Sequence, residues 1–302
     1  MRISSNQYQS VVLLAMQNSS SGMAELLQKM SSGKSMLAPS ENPIASVRLL
    51  RLQREEAALS QYRDNIGALK SRLSQNETLL GGISANLRDA RDILVAAANP
   101  APAEDLKAMA SPLISLRDSI LFAANTKDSE GRYLFSGSAV NSATIKFDAS
   151  QAAGSRYSFS GNTDRQQVTV GEGVTQASNV TLESMPALLN QLDKVIAALQ
   201  SPTLDSKDPA VGAAVRATMD SVDSALSSVS GSISELGGAQ NVLQTLDGNH
   251  NSLSLANQQS MLELGGLDYG TAYMNMGQLS MALQASQKAY GKVSQLTLFN
   301  VI

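Results

Sequence analysis

Asp247, Asn249 and Asn251 place side-chain oxygens at every second position around Gly248 and His250, the opening pattern of a calcium-binding loop. The pattern stops there, because Ser252 stands where such a loop needs a turning glycine and Gln258 where it needs a bidentate glutamate. His250 is the one histidine of the chain and cysteine is absent, so zinc sites, two-histidine iron sites and Ser-His or Cys-His nucleophiles all lack parts. Gly171-Glu172-Gly173 follows a strand-like run but leads into polar residues instead of a helix, which suits a hairpin turn better than a phosphate-binding loop. Glu55 with Glu56, and Asp89 with Asp92, are interleaved with Arg54, Arg88 and Arg91 and read as exposed ion pairs on a helix surface, not as an acid–base pair. The expectation is a chain with no catalytic, cofactor-binding or metal-ligating residues, and not an enzyme.

A protein without such chemistry acts by binding, and its composition narrows what it binds. The chain has 302 residues, net charge -3, no Trp and few aromatic residues. That charge supplies no basic field for nucleic acid, and no apolar run approaches the roughly 18 residues of a membrane span. Neither partner is expected. The start MRISSNQYQS lacks the charged region and apolar core of a cleaved signal, which points to a cytoplasmic chain or to export with the N-terminus intact. Charge is uneven along the chain. Residues 51–95 carry thirteen charged side chains, whereas residues 1–40 carry Arg2, Glu25, Lys29 and Lys34, and residues 251–302 carry Glu263, Asp268, Lys288 and Lys292. The middle is built like a solvated helix surface and the ends are built to be covered.

The elements follow from the apolar spacing. Leu52, Leu59, Ile66, Leu73, Leu80, Leu87 and Leu94 recur every seven residues, with Tyr62, Leu69, Ile83, Ala90 and Ala97 three residues after five of them, the seam of a long coiled-coil helix. Asn76 interrupts the seam and reads as a register pin. Gly81 and Gly82 imply a close backbone neighbour or a bend. Ser40-Glu41-Asn42-Pro43 opens this helix, and Asn99-Pro100-Ala101-Pro102 closes it. A second seam, Leu106, Met109, Leu113, Leu116, Ile120 and Ala123, is expected to pack antiparallel to the first. The period then becomes two, with Tyr133/Phe135, Ile145/Phe147, Tyr157/Phe159 and Val168/Val170 as strands of a small β-domain over 132–182. Helical spacing returns at Leu188 and runs to Leu243, broken by a linker at Ser201–Pro209.

The N-terminal stripe Val12, Met16, Ser19, Met23, Leu26 and Met30 and the C-terminal stripe Tyr269, Ala272, Met276, Leu279, Leu283, Ser286, Tyr290 and Val293 can zip together. A seam holding Ser19, Ala272 and Ser286 buries too little to be rigid alone and needs neighbouring subunits. Val12, Met16, Met23, Leu26, Met276, Leu279, Leu283, Tyr290 and Val293 are therefore the expected assembly residues. Met16, Met23, Met30, Met274, Met276 and Met281 add adaptable thioethers that suit core and subunit packing equally. The expected fold is mainly α: a long antiparallel coiled-coil rod with discontinuous N- and C-terminal helices and a small inserted β-domain. Its divisions are 1–39 with 259–302 as a terminal assembly domain, 40–131 with 183–258 as the rod, and 132–182 as the insertion.

Several short motifs punctuate these elements. They are Arg2-Ile3-Ser4-Ser5-Asn6-Gln7, Met30-Ser31-Ser32-Gly33-Lys34, Ser40-Glu41-Asn42-Pro43-Ile44-Ala45, Gly131-Arg132-Tyr133-Leu134-Phe135-Ser136-Gly137-Ser138, Leu267-Asp268-Tyr269, Ala282-Leu283-Gln284-Ala285-Ser286 and Leu296-Thr297-Leu298-Phe299. In this order they resemble the flagellin superfamily, and within it the hook-associated protein 3 family that joins hook to filament. That resemblance implies export through the flagellar type III channel without cleavage, an extracellular place in the bacterial flagellum at the hook–filament junction, and an export chaperone on the C-terminal helix. It also implies self-association in a ring, with a hook-side hook-associated protein below and flagellin above. Two departures stand out: Thr181-Leu182-Glu183-Ser184-Met185 lacks the glycine and aromatic often found where the insertion ends, and Asp247-Gly248 interrupts a stretch that is continuous helix in relatives, where a kink or an unbroken helix is expected. Two other readings stand beside it, a short flagellin that forms the filament itself and a cytoplasmic coiled-coil binding module. The MRIS start and the Leu298-Phe299 ending favour the junction reading over the flagellin.

Overall fold

The computed structural model describes residues 2–99, 101–205 and 208–299, with side chains from 7 to 292. Among these residues the elements run α1 (Arg2–Ser32), α2 (Pro43–Ala98), α3 (Ala103–Ala124), β1 (Ile145–Phe147), β2 (Tyr157–Phe159), β3 (Gln167–Gly171), β4 (Val174–Ala177), α4 (Met185–Leu199), α5 (Pro209–Gly265) and α6 (Tyr269–Phe299). The chain forms two compact units: a central one, Leu59–His250, and a terminal one, Met1–Ala58 with Asn251–Ile302.

The central unit holds one continuous apolar core. The seven-residue seam of α2 lies inside it, with Leu73, Leu80, Ile83, Leu87 and Leu94 fully buried, and α5 answers with Val215, Val222, Val229, Leu236 and Leu243. The two helices run antiparallel, as cross-links at opposite ends require: Arg63 lies 3.5 Å from Asp247, and Arg91 lies 2.6 Å from Asp223. α3 joins α2 through Asn86 Nδ2, which donates to Ser119 Oγ at 2.9 Å. Asn76 sits in the seam as expected, fully buried, and neither amide atom finds a hydrogen-bond partner among the described residues. A Cβ at Gly81 or Gly82 would have no atom within 4 Å, so no close approach inside the subunit requires these glycines. α5 passes through Gly248 as unbroken helix.

The inserted β region is small. It consists of two separate antiparallel hairpins, β1 with β2 and β3 with β4. Ile145 pairs with Phe159 in the first; Gln167 pairs with Ala177 in the second, which carries a bulge between Thr169 and Gly171. The second hairpin turns at 172–173, with Gly173 at φ 68°.

Of the expected strand Tyr133/Phe135, only Tyr133 makes a bridge, to Lys127, and the chain around it turns instead. Asp128 Oδ1 accepts the backbone N–H of Glu130 and of Arg132, both at 2.9 Å, and folds the chain back on itself. Gly137 then takes φ 72°, where a Cβ would lie 2.1 Å from the Asn162 carbonyl oxygen, so only glycine fits. Leu134 and Phe135 are buried by these turns, not by alternation in a strand.

Two polar residues of α4 fix the first hairpin. Asn190 satisfies both backbone groups of Tyr157: its Oδ1 accepts the Tyr157 N–H at 2.9 Å and its Nδ2 donates to the Tyr157 carbonyl oxygen at 2.8 Å. Asp193, almost wholly buried, accepts from Arg117 at 3.0 Å, from the Gly154 N–H at 3.2 Å and from Arg156 at 3.5 Å. Two guanidinium groups and an amide thus compensate the buried carboxylate. His250 packs against the Tyr62 ring, with Nε2 2.8 Å from the Val170 carbonyl oxygen. Asp247 and His250 of the calcium-like stretch are engaged in packing contacts, and among the described residues no cluster of acidic, histidine or cysteine side chains is arranged to hold a metal.

Candidate assembly interface

In the terminal unit α1 and α6 pair along their length, with Cα atoms of the two helices within 8 Å of one another. Small residues in the seam allow this approach. A Cβ on Gly22 would lie 3.6 Å from both terminal methyls of Leu279. The expected stripes are the facing ones: Val12 and Ala272 are buried, and Met16, Met23, Leu26, Met276, Leu279, Leu283 and Tyr290 are half-buried. The Val293 side chain lies outside the described residues.

The motif residues hold the ends of this pair. α1 stops at Ser32 because Gly33 turns to φ 69°. The chain then runs beside the α5–α6 junction. The Ser35 N–H donates to the Gly265 carbonyl oxygen at 2.9 Å, and the Leu267 N–H donates to that of Gly33 at 3.0 Å. Asp268 caps α6, accepting from the Gly270 N–H at 2.9 Å, the Thr271 N–H at 3.3 Å and the Thr271 hydroxyl at 2.6 Å. The Thr271 hydroxyl, followed by the two N–H groups, holds the Asp268 carboxyl below the usual carboxylate range. The Tyr269 hydroxyl donates to the Met30 carbonyl oxygen at 3.0 Å, linking the first turn of α6 to the last turn of α1.

Asn42 and Glu41 perform the same work on the other side. Asn42 Oδ1 accepts the Ala45 N–H at 3.1 Å, capping α2 ahead of Pro43 at its first position. Glu41 accepts the N–H groups of Leu37 and Ala38 at 2.9 and 3.0 Å, and Lys29 lies 2.6 Å from its second oxygen and 2.9 Å from Glu25. The Lys29 ammonium, then the two N–H groups, lowers the Glu41 carboxyl; Glu41 and then Glu25 raise Lys29.

What this framework leaves bare is large and apolar. Val11 and Leu14 on α1 are each 58% exposed, and Tyr273, Met274 and Met281 on α6 are 65–69% exposed. Ile44, Val47, Leu255 and Leu262 on the terminal ends of α2 and α5 are exposed to a similar degree. Beside them lies a groove of about 560 Å³ lined by Met36, Leu37, Pro39, Leu49, Leu50, Met261 and Leu262, with Lys34, Gln53 and Gln258 at its polar positions. The sequence pattern selected the seam and, outside it, only the thioethers Met274 and Met281; the other exposed residues were passed over. The usable signal was their apolar character off the three-four spacing within a stretch nearly free of charge.

Paired terminal helices, a long helical middle and small hairpins inserted between helices define a flagellin-like helical protein. Residues 3–140 match the N-terminal helical region of bacterial flagellin. Flagellar hook-associated protein 3 of Escherichia coli is 28% identical over 315 aligned residues, covering 100% of this chain and 99% of its own. A structure described as a flagellar hook-associated protein from Vibrio parahaemolyticus is 35% identical, with a TM-score of 0.67, covering 75% of this chain and 100% of its own. The chain belongs to the flagellar hook-associated protein 3 family of the flagellin superfamily. FlgL of Xanthomonas campestris shares the fold at 16% identity and a TM-score of 0.61, covering 70% of this chain and 99% of its own.

Proposed function

We propose that this chain is a structural protein of the bacterial flagellum that joins the hook to the flagellin filament, acting by binding and without chemistry. The observation that carries the reading is the terminal unit's exposed apolar surface: side chains such as Leu14, Leu262 and Tyr273 are directed at solvent on a surface with little charge. Burying such area between subunits is favourable by about 25 cal/mol per Å², and a junction supplies neighbours on both sides. Family membership points the same way. The segments 1–39 and 259–302 serve as the assembly domain, 40–131 with 183–258 as the rod, and 132–182 as the insertion.

In this reading Val12, Met16, Met23, Leu26, Met276, Leu279, Leu283 and Tyr290 hold α1 and α6 together and, with Val293, become fully covered on assembly, while the outward residues Val11, Leu14, Tyr273, Met274 and Met281 meet the neighbours. Those neighbours are further copies in a ring, a hook-side hook-associated protein and flagellin. The chain reaches them by type III export, with a chaperone on α6 until then.

The test is replacement of the native gene by Leu283→Asp, which places a carboxylate in the α1–α6 seam, or by Met274→Asp, which places one on the outer face. Both are expected to leave the central unit folded, to leave hooks without filaments and to release flagellin into the medium. Normal filaments in both strains would refute the proposal. Purified wild-type protein is expected to form no long filaments unaided; if it does, the chain is a filament subunit.

A further inference from the structure

Within the terminal unit α2 and α5 face each other through a layer of polar side chains. Glu56 lies between Leu52 and Leu59 on α2, and on α5 Asn257 continues the seven-residue series of Val222, Val229, Leu236 and Leu243 with a polar side chain. Ser254 and Gln258 of α5 meet Glu56. Ser254 Oγ donates to Glu56 Oε1, and Gln258 Nε2 donates to the same oxygen at 3.0 Å and to Ser254 Oγ at 3.1 Å. Ser254 is 4% and Asn257 6% exposed. Glu56 Oε2 and Asn257 Nδ2 are buried with no hydrogen-bond partner among the described residues.

A carboxylate bonded by neutral donors, with one oxygen and a neighbouring amide unmatched, is a poor filler for a helix seam. Each unmatched group loses its water on closing and regains it on opening. Further along α2, Ile66, Leu73 and Leu80 gain nothing from water because they are apolar and almost completely buried. Gln258 also lines the apolar groove, as does Gln53 one turn before Glu56 on α2, so the layer forms part of the groove's wall.

We propose that the Glu56–Ser254–Asn257–Gln258 layer is a built-in opening point at which α2 and α5 separate locally, rehydrating Glu56 and Asn257 and letting the groove wall move. The opening is a property of the isolated chain and requires no partner. Local opening of this kind is read by amide exchange, which samples rare separations long before the whole chain unfolds.

The experiment is hydrogen exchange by mass spectrometry on the full chain, comparing wild type, Glu56→Leu/Asn257→Leu and Glu56→Gln. Wild-type peptides covering 52–58 and 252–260 are expected to exchange about tenfold or more faster than those covering 80–94, which hold no unmatched buried polar side chain among the described residues, the scale set by one or two unmatched buried polar groups. The double variant is expected to slow the first set by about tenfold and leave the second unchanged. Glu56→Gln, which removes the charge and keeps the shape, is expected to slow it by a smaller factor. Wild-type exchange at 52–58 and 252–260 as slow as at 80–94 would overturn the proposal. So would unchanged or faster exchange in a double variant of native helix content. If that variant loses helix, Glu56→Gln decides: slower exchange supports the opening point, and unchanged exchange overturns it.

Discussion

In the central unit the large apolar side chains meet each other, and Leu73, Leu87, Leu94 and Val222 are all 0% exposed; in the terminal unit, helices of comparable apolar content keep Val12 and Ala272 inside and leave Val11, Leu14, Tyr273 and Met274 in water. Buried polar groups do not draw the same line: Asp193 is matched by Arg117, Arg156 and the Gly154 N–H, but Asn76 of the central unit and Glu56 of the terminal one each keep an atom unmatched among the described residues. A core whose apolar side chains cover one another is stable in one copy, and an apolar surface left in water favours a neighbour.

Truncations give the largest contrast. Leu87→Ala removes a fully buried side chain and should cost about 2–5 kcal/mol of unfolding free energy, while Leu14→Ala on the outer face should stay within about 0.5 kcal/mol, both read by denaturant melts followed at the central unit. Equal costs would erase the distinction between the units. Asn76 sharpens it from the other side. Asn76→Leu replaces a fully buried amide that lacks a partner among the described residues with a side chain of similar volume, and should raise the stability of the central unit by about 1–3 kcal/mol. A loss of stability would mean the amide is better satisfied than its surroundings indicate.

The smallest effect concerns the α6 cap. The Asp268 carboxyl is held below its ordinary value, so its contribution is present above about pH 4 and fades as acidification passes through the lowered value. The Gly270 and Thr271 amide resonances should shift in that acid window, and Asp268→Asn, which caps without titrating, should remove the shift.

Much of this architecture could be read from spacing alone. The seven-residue seam of α2 and the stripes of α1 and α6 identified the inward faces, because burial in a helix pair recurs at three and four residues. The turns around Asp128 and Gly137 misled, since Tyr133 and Phe135 alternate like a strand while side-chain bonds and a positive φ fold them otherwise. Asn190 and Asp193 left no mark in the sequence. They are ordinary polar residues in a helix until the hairpin, 33 and 37 residues away at Tyr157 and Arg156, supplies their partners. Outward residues such as Val11, Leu14 and Tyr273 were hidden for a related reason. Periodicity shows which face meets the partner helix but not whether the other face is wetted or covered.

The most direct measurement of that remaining face is amide exchange on α1 and α6, compared between dilute single chains and chains built into flagella. The account predicts rapid exchange across 8–30 and 270–290 in the single chain, slow exchange across Leu73–Leu94 in the same sample, and strong protection of the terminal helices after assembly. Terminal helices already as protected as Leu73–Leu94 in the dilute single chain would contradict it.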